Sequence, residues 1–283
     1  LDWGRAASDT QLTQRPSNRR YSFSHALLAE ALRRTYNPLR LRRASERVAA
    51  ALARLAPDAA GEIARLYDQA SRSEEAHRYA FLAGERAASV YAHDEAATFF
   101  EMAARHAPTP ADAVQAEWRL ALVADARGRL AEVEERCGRV VASVGAPETV
   151  LGEAKRLRER ARLMKGDNPK DVLARFEVLL ADAADAGADR DAAAVLTLIS
   201  QTHSRLGDAE LAERIALEAV QVAERTGDTR LLADAVMRVA SSLIVHRPED
   251  AVVHFRRAID LFVTLDDGRG QLRCQINSGV AYD

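Results

Sequence analysis

The stretch Ala96-Ala97-Thr98-Phe99-Phe100-Glu101-Met102-Ala103, with Pro108 just beyond it, decides the fold. Its skeleton is a small residue, three residues, an aromatic, two residues and a second small residue: Ala96-x3-Phe100-x2-Ala103. The skeleton returns as Val133-x3-Cys137-x2-Val140, Val172-x3-Phe176-x2-Leu179, Ala212-x3-Ala216-x2-Ala219 and Ala251-x3-Phe255-x2-Ala258. Successive copies begin 37 to 40 residues apart. A fixed period in that range is the signature of stacked helical hairpins, each burying its apolar stripe against its neighbours. The small residues let helices approach closely, and the aromatic fills the gap between one hairpin and the next. We read the skeleton residues as core and assign them no chemistry.

Turn chemistry between the copies places the helices. Pro, Gly and Asp punctuate the chain at Pro57-Asp58, Pro108-Thr109-Pro110, Gly128, Gly145-Ala146-Pro147, Gly166-Asp167-Asn168-Pro169, Gly187, Gly207-Asp208, Gly227-Asp228, Pro248 and Asp266-Asp267-Gly268. Glycine after a last turn and aspartate or proline at the next first turn are stop and start signals. They predict helices near 60–70, 73–91, 94–106, 111–127, 130–144, 148–165, 169–185, 189–206, 209–226, 229–245, 248–265 and 269–283. A helix from Ser24 to before Asn37-Pro38 and another from Pro38 to Leu55 precede them. Thr10–Gln14 and Tyr21–Ser24, around Arg15-Pro16-Ser17-Asn18-Arg19, read as a short β-hairpin. The expected organisation is a remnant over 1–24, basic connector helices over 25–57 and repeats over 58–283.

Composition narrows the function. Aromatic residues make up only 5% and there are two cysteines, Cys137 and Cys274, with no Cys-x-x-Cys pair. That excludes a disulfide framework and suits a reducing, cytoplasmic setting. No apolar run is long enough to span a membrane. The seven histidines show no His-Glu-x-x-His spacing, no Gly-x-Ser-x-Gly elbow is present, and the phosphate-loop pattern is missing. We therefore expect neither metal, cofactor nor catalysis in this chain. The net charge of −2 hides an asymmetry: residues 1–56 hold eleven Arg and four acidic residues. Arg40, Arg42, Arg43 and Arg47 lie on one helix with few aromatics among them, a pattern better suited to docking on an acidic domain than to nucleic acid.

At the repeats the chain resembles the tetratricopeptide family. Its second helix carries Ala-x3-Phe/Tyr-x2-Ala, often followed by Pro, and Ala96, Phe100, Ala103 and Pro108 match. Gly279 and Tyr282 match the Gly-x2-Tyr of the first helix, whereas Ala121, Ser200 and Ala240 stand where Gly is usual. The period near 40 looks like a longer-helix variant. The resemblance implies an all-α, right-handed superhelix of about five or six hairpins, the last truncated.

A second resemblance lies in Phe23-Ser24-His25-Ala26-Leu27-Leu28-Ala29-Glu30-Ala31-Leu32. It is similar to the end of the winged-helix region in bacterial STAND-type regulatory ATPases, including LuxR-type activators and cyclase-linked ATPases. That likeness implies a fragment of a longer regulator. An ATPase module would lie upstream in the same polypeptide, and His25 would be a candidate nucleotide-sensing residue.

In a curved stack the first helix of each hairpin faces the concave side. The positions there that do not fill the core are Gln115, Asp125, Thr197, Gln201, Ser204, Asp234, Met237 and Ser241; Trp118 is the largest candidate, either core or groove. The set is mixed polar with few Arg or Lys, which argues against a groove built only for a carboxylate or phosphate. We expect a non-enzymatic protein- or effector-binding sensor region, with a peptide, a partner helix or a small effector as ligand. A stand-alone scaffold or homodimerisation module without nucleotide coupling is the alternative.

Overall fold

The computed structural model describes residues 12–14, 21–23 and 37–280. Strands β1 (Leu12–Gln14) and β2 (Tyr21–Phe23) pair antiparallel, Thr13 opposite Ser22. His25 and the helix expected from Ser24 lie outside the described residues, as does Tyr282. The described helices are α1 (Pro38–Leu55), α2 (Ala60–Gln69), α3 (Ser73–Ser89), α4 (His93–Arg105), α5 (Pro110–Ala126), α6 (Leu130–Ala142) and α7 (Glu148–Lys165). They continue as α8 (Pro169–Asp185), α9 (Asp189–Leu206), α10 (Ala209–Thr226), α11 (Thr229–Leu243), α12 (Pro248–Thr264) and α13 (Gly268–Val280). Short turns join them, and most consecutive helices pack side by side. This is the expected all-α repeat of helical hairpins. The chain divides into two units, one through Ala116 and one from Glu117.

Capping explains why the helices start where they do. Asn37 Oδ1 accepts from the Leu39 amide (2.9 Å), and Asn168 Oδ1 from the Lys170 amide (3.0 Å). In both, the proline at the first helical position has no N–H to satisfy. Asp228 Oδ1 accepts from the amides of Arg230 and Leu231. At the other end, Gly207 turns left-handed (φ 87°), and the next amide, Asp208, reaches back to His203 O (3.0 Å). Tyr91 takes the same left-handed conformation (φ 60°) in the turn between α3 and α4, although it has a side chain.

The skeleton residues are the core. Of the fifteen, all but Leu179 have no solvent exposure, and Leu179 is half-buried. In the first unit α1 packs on α2 through Ala49, Ile63 and Tyr67, so the basic helix is part of the stack. Phe99 packs among Ala60, Ala64, Ala80 and Ala83. Phe100 lies edge-on to Phe81 (5.5 Å between centroids). Gly84 lets that happen: a Cβ placed there would meet Phe100 Cδ1 and Cε1 at 2.7 Å. Gly84 precedes Ala96 by the same interval that separates Ser200 from Ala212, where Ser200 Oγ donates to Ala212 O (2.7 Å). In the second unit Phe176, Val172, Leu163, Val195 and Ile199 form one cluster, and Phe255 and Phe262 belong to a larger one spanning α9 to α13.

Ion pairs tie each hairpin of the second unit to the next. Asp125 pairs with Arg160, Arg156 with Asp191 (2.6 Å), Arg190 with Asp228 (2.5 Å), Arg230 with Asp267, and Asp234 with Arg273 (2.9 Å). The partners stand about one repeat apart, 35 to 39 residues where α5 meets α7, α7 meets α9 and α11 meets the turn and helix beyond it. A second network surrounds Glu159, whose side chain is only 3% exposed and accepts from Arg158, Arg162 and Arg175.

Candidate functional site

Alternate helices of the second unit share one face. From α7, α9, α11 and α13 they contribute Arg160, Met164, Thr197, Leu198, Gln201, Leu231, Asp234, Met237, Arg238, Ser241, Arg273, Ile276 and Asn277 to a groove of about 570 Å³. That volume falls in the range of ligand-binding clefts. Five of the nine expected positions, Thr197, Gln201, Asp234, Met237 and Ser241, meet there. Trp118 lines an adjoining depression of about 280 Å³ with Leu122, Glu153, Arg156 and Leu157; Arg160 and Leu198 belong to both. Trp118 is otherwise buried, so only part of its ring is offered. Asp125 stands at this edge, held by Arg160. Ser204 is exposed on α9 and bonds to Ser200 O (3.1 Å), outside the groove lining. Gln115, half-buried on α5, belongs to the first unit. A further cavity of about 370 Å³ between α7, α8 and α9 has its Arg156 taken by Asp191.

The groove wall is amphipathic. Met237, Leu198, Leu231, Met164 and Ile276 supply apolar surface. Thr197 Oγ1 donates to Ala194 O (2.7 Å) and Ser241 Oγ to Met237 O (2.9 Å). Each hydroxyl thus spends its proton on its own helix and keeps its lone pairs for an incoming donor. Gln201 and Arg205 both lie against Met164 Sδ, at 3.8 and 3.0 Å.

The charge of the groove departs from the sequence-based expectation. Arg160, Arg238 and Arg273 line it, and Asp234 is the acidic residue among the lining groups. Arg160 and Arg273 escaped notice because the expected set left out α7 and α13 altogether, and Arg238 was not among the α11 positions considered. The interval of 39 residues from Asp234 to Arg273, one repeat, was the signal that could have revealed their pairing.

Elsewhere, Arg40, Arg42, Arg43 and Arg47 are exposed on α1. Cys137 and Cys274 are fully buried, and burial pushes their thiols up to about 12 and about 11. Among the described residues no three His, Cys, Asp or Glu side chains gather in a metal-binding group, and no helix is long and apolar enough to cross a membrane.

No family model matches the chain, and no curated protein matches it either. Solved structures do. The apo form of RapI aligns with a TM-score of 0.55 at 11% identity, over 78% of this chain and 66% of RapI. BtubC (BKLC) from P. vanneervenii aligns with a TM-score of 0.48 at 18% identity, over 71% of this chain and 83% of that one. The STAND protein with a tetratricopeptide repeat sensor, PH0952 from Pyrococcus horikoshii, aligns with a TM-score of 0.47 at 16% identity. That match covers 93% of this chain and 46% of that one. The likeness to RapI is one of fold, and it agrees with the hairpin repeat built above from the residues; the other two are too distant to add to it.

Proposed function

We infer that this chain is a non-enzymatic binding region whose ligand is a peptide or protein segment lying in the groove of α7, α9, α11 and α13. One observation carries the reading: residues one repeat apart on four alternate helices converge on a single cleft with apolar walls and open polar groups. An extended peptide offers side chains to the apolar wall and backbone N–H groups to Thr197, Ser241 and Gln201. Phage display of random heptapeptides on the full chain tests it. Selected peptides bind the parent chain and lose at least ten-fold in affinity to Thr197→Lys and Ser241→Lys, while Val178→Lys, an exposed position away from the groove, leaves binding unchanged. No enrichment, or binding indifferent to both groove variants, refutes the reading.

The finer context is a sensor arm of a bacterial STAND-like signalling or transcription regulator. The Phe23-to-Leu32 stretch supports it, with His25 as the nucleotide-sensing candidate and the exposed Arg40, Arg42, Arg43 and Arg47 as a docking face for the ATPase module. Ligand binding would switch such a regulator only through unequal affinity for its two states. A coding sequence carrying a phosphate-loop domain upstream agrees with this; one without it returns the chain to the plain scaffold reading.

A further inference from the structure

Helix α1 carries an apolar stripe besides the one it spends on α2. Leu41, Ala44, Val48, Ala51 and Leu55 follow one another at intervals of three and four residues, the spacing that keeps side chains in one line along a helix. Ala44 and Val48 are exposed, Leu41 and Ala51 are half-buried, and Leu55 is 83% exposed. The helix meets its neighbours through Ala49, Leu52 and Ala53 instead. A hairpin at the end of a stack needs a polar outer face. Helix α1, the first described helix of this stack, leaves these apolar residues open. Arg40, Arg47 and Arg54 stand seven residues apart, each one residue before a member of the stripe, so they line one flank of it. All three are exposed. The other flank, Ser45 and Leu52, is closed by α2, where Ser45 Oγ donates to Gln69 Oε1 (3.4 Å). Glu46, the one carboxylate in the α1 sequence, accepts from Arg72 at the start of α3 (2.8 Å). The helix itself therefore holds no open counter-charge for the three arginines.

We propose that α1 is the docking surface for an acidic amphipathic helix of a partner protein. The apolar seam of that helix lies on Leu41, Ala44, Val48, Ala51 and Leu55, and its carboxylates, one heptad apart, meet Arg40, Arg47 and Arg54. The site is separate from the groove of the second unit and does not depend on an ATPase module. The chemistry of the stripe selects the occupant. Ala44 and Ala51 leave holes for the side chains of a second helix, and Leu41, Val48 and Leu55 are the knobs between them. An extended peptide, with its period of two, does not match that spacing. A second copy of α1 laid antiparallel would set Arg40, Arg47 and Arg54 against the same three arginines. Laid parallel, it would need the flank that α2 closes. A lipid surface favours Trp, Phe and Leu as anchors, whereas α1 has no aromatic residue and two of its five stripe residues are alanine.

The probe is a designed peptide of three heptads with Leu at both seam positions and Glu at both flanking ones; its own copies repel each other, so it stays monomeric. Fluorescence polarisation on the full chain should show it binding at least ten-fold tighter than the same peptide with Gln at the flanks, and the gap should close as salt is raised. Arg40→Gln, Arg47→Gln and Arg54→Gln together should bring the Glu peptide to the affinity of the Gln peptide. Val48→Ser with Leu55→Ser should weaken both peptides at least ten-fold. These five residues are exposed, so the urea midpoint of each variant should match that of the parent chain and separate lost binding from lost folding. Equal binding of the Glu and Gln peptides, or of a Lys-flanked one, overturns the inference. So does failure of all three to bind, which leaves the groove reading standing. Loss of binding in Thr197→Lys would place the peptide in the groove and overturn the assignment to α1. A dimer of the unliganded chain in sedimentation equilibrium that Val48→Ser with Leu55→Ser dissolves would give the stripe to a second copy. Co-sedimentation with phosphatidylserine vesicles that the same variant abolishes would give it to a membrane. Either result overturns the acidic helix.

Discussion

Two Gly→Ala substitutions in helices should move stability in opposite directions. Gly84 and Gly138 both lie within helices, α3 and α6, and neither has positive φ. Alanine in place of a helical glycine gains about 1 kcal/mol from the lower backbone entropy of the unfolded chain. At Gly138 a Cβ meets nothing within 4 Å, so Gly138→Ala should be more stable by about 0.5–1 kcal/mol. At Gly84 the Cβ would stand 2.7 Å from Phe100 Cδ1 and Cε1 and 2.9 Å from Cζ. Three atoms of one ring edge are involved, and the ring has no solvent exposure and rests against Phe81. It must shift as a body, and overpacking of this kind costs about 1–3 kcal/mol. Against a gain of about 1 kcal/mol, the net for Gly84→Ala is a loss of up to about 2 kcal/mol. Urea unfolding followed by far-UV circular dichroism, with the slope checked for constancy, measures both. A double-mutant cycle with Phe100→Leu isolates the contact: the pair should be less destabilised than the sum of the singles by at least about 1 kcal/mol. Equal stabilisation by both alanines, or an additive cycle, would refute the reasoning.

Tyr91→Gly should stabilise the chain by about 1 kcal/mol, since a left-handed residue with a side chain is strained; the same urea assay reads it, and a lower midpoint contradicts it. Glu159→Ala should cost about 3 kcal/mol, because it takes the carboxylate partner from Arg158 and Arg175 at a buried site, Arg162 keeping Glu134; a change under about 0.5 kcal/mol would mean that water already screens them. Cys137 and Cys274 should react with a thiol reagent at pH 8 only after urea unfolding, their buried thiols staying protonated. Their raised pKa values make stability fall as pH climbs from about 8.5 toward 12, because the unfolded chain loses those protons first; a Cys137→Ala, Cys274→Ala chain should show a shallower alkaline limb. Glu134 is held below the usual carboxylate range by hydrogen bonds from Lys165 and Arg162. Its contribution is present above the unfolded pKa and is lost as pH falls through the folded one, so Glu134→Gln should flatten the acid limb below about pH 4.5.

The helices were legible where the chain states both ends. The ranges 148–165, 169–185, 189–206 and 209–226 read from Pro147, Asn168-Pro169, Gly187, Gly207-Asp208 and Gly227 agree with α7 to α10. The helices expected over 130–144 and 229–245 end two residues sooner, at Ala142 and Leu243, the first short of Gly145 and the second with no glycine following it. Gly84 was passed over because its partner is an aromatic in the following helix. Half of the groove was legible for a related reason. A helix position can be read as core or surface from its own period, which found Thr197, Gln201, Asp234, Met237 and Ser241. Whether an arginine is paired depends on a carboxylate a whole repeat away, as Arg273 with Asp234 shows.

The ladder of ion pairs between successive hairpins has a consequence for misassembly. Each rung is partly exposed, so its contribution to stability is small. Its effect falls on alternatives instead. Repeats with near-identical apolar stripes invite exchange of hairpins between copies and slippage by one unit, a characteristic failure of repeat arrays. Among the described residues Arg156 pairs with Asp191 on α9, and Asp234 pairs with Arg273 on α13. A hairpin seated one place out of order, or borrowed from another molecule into the wrong position, would part Arg156 from Asp191 and Asp234 from Arg273. The rungs thus favour the order of hairpins that this chain has.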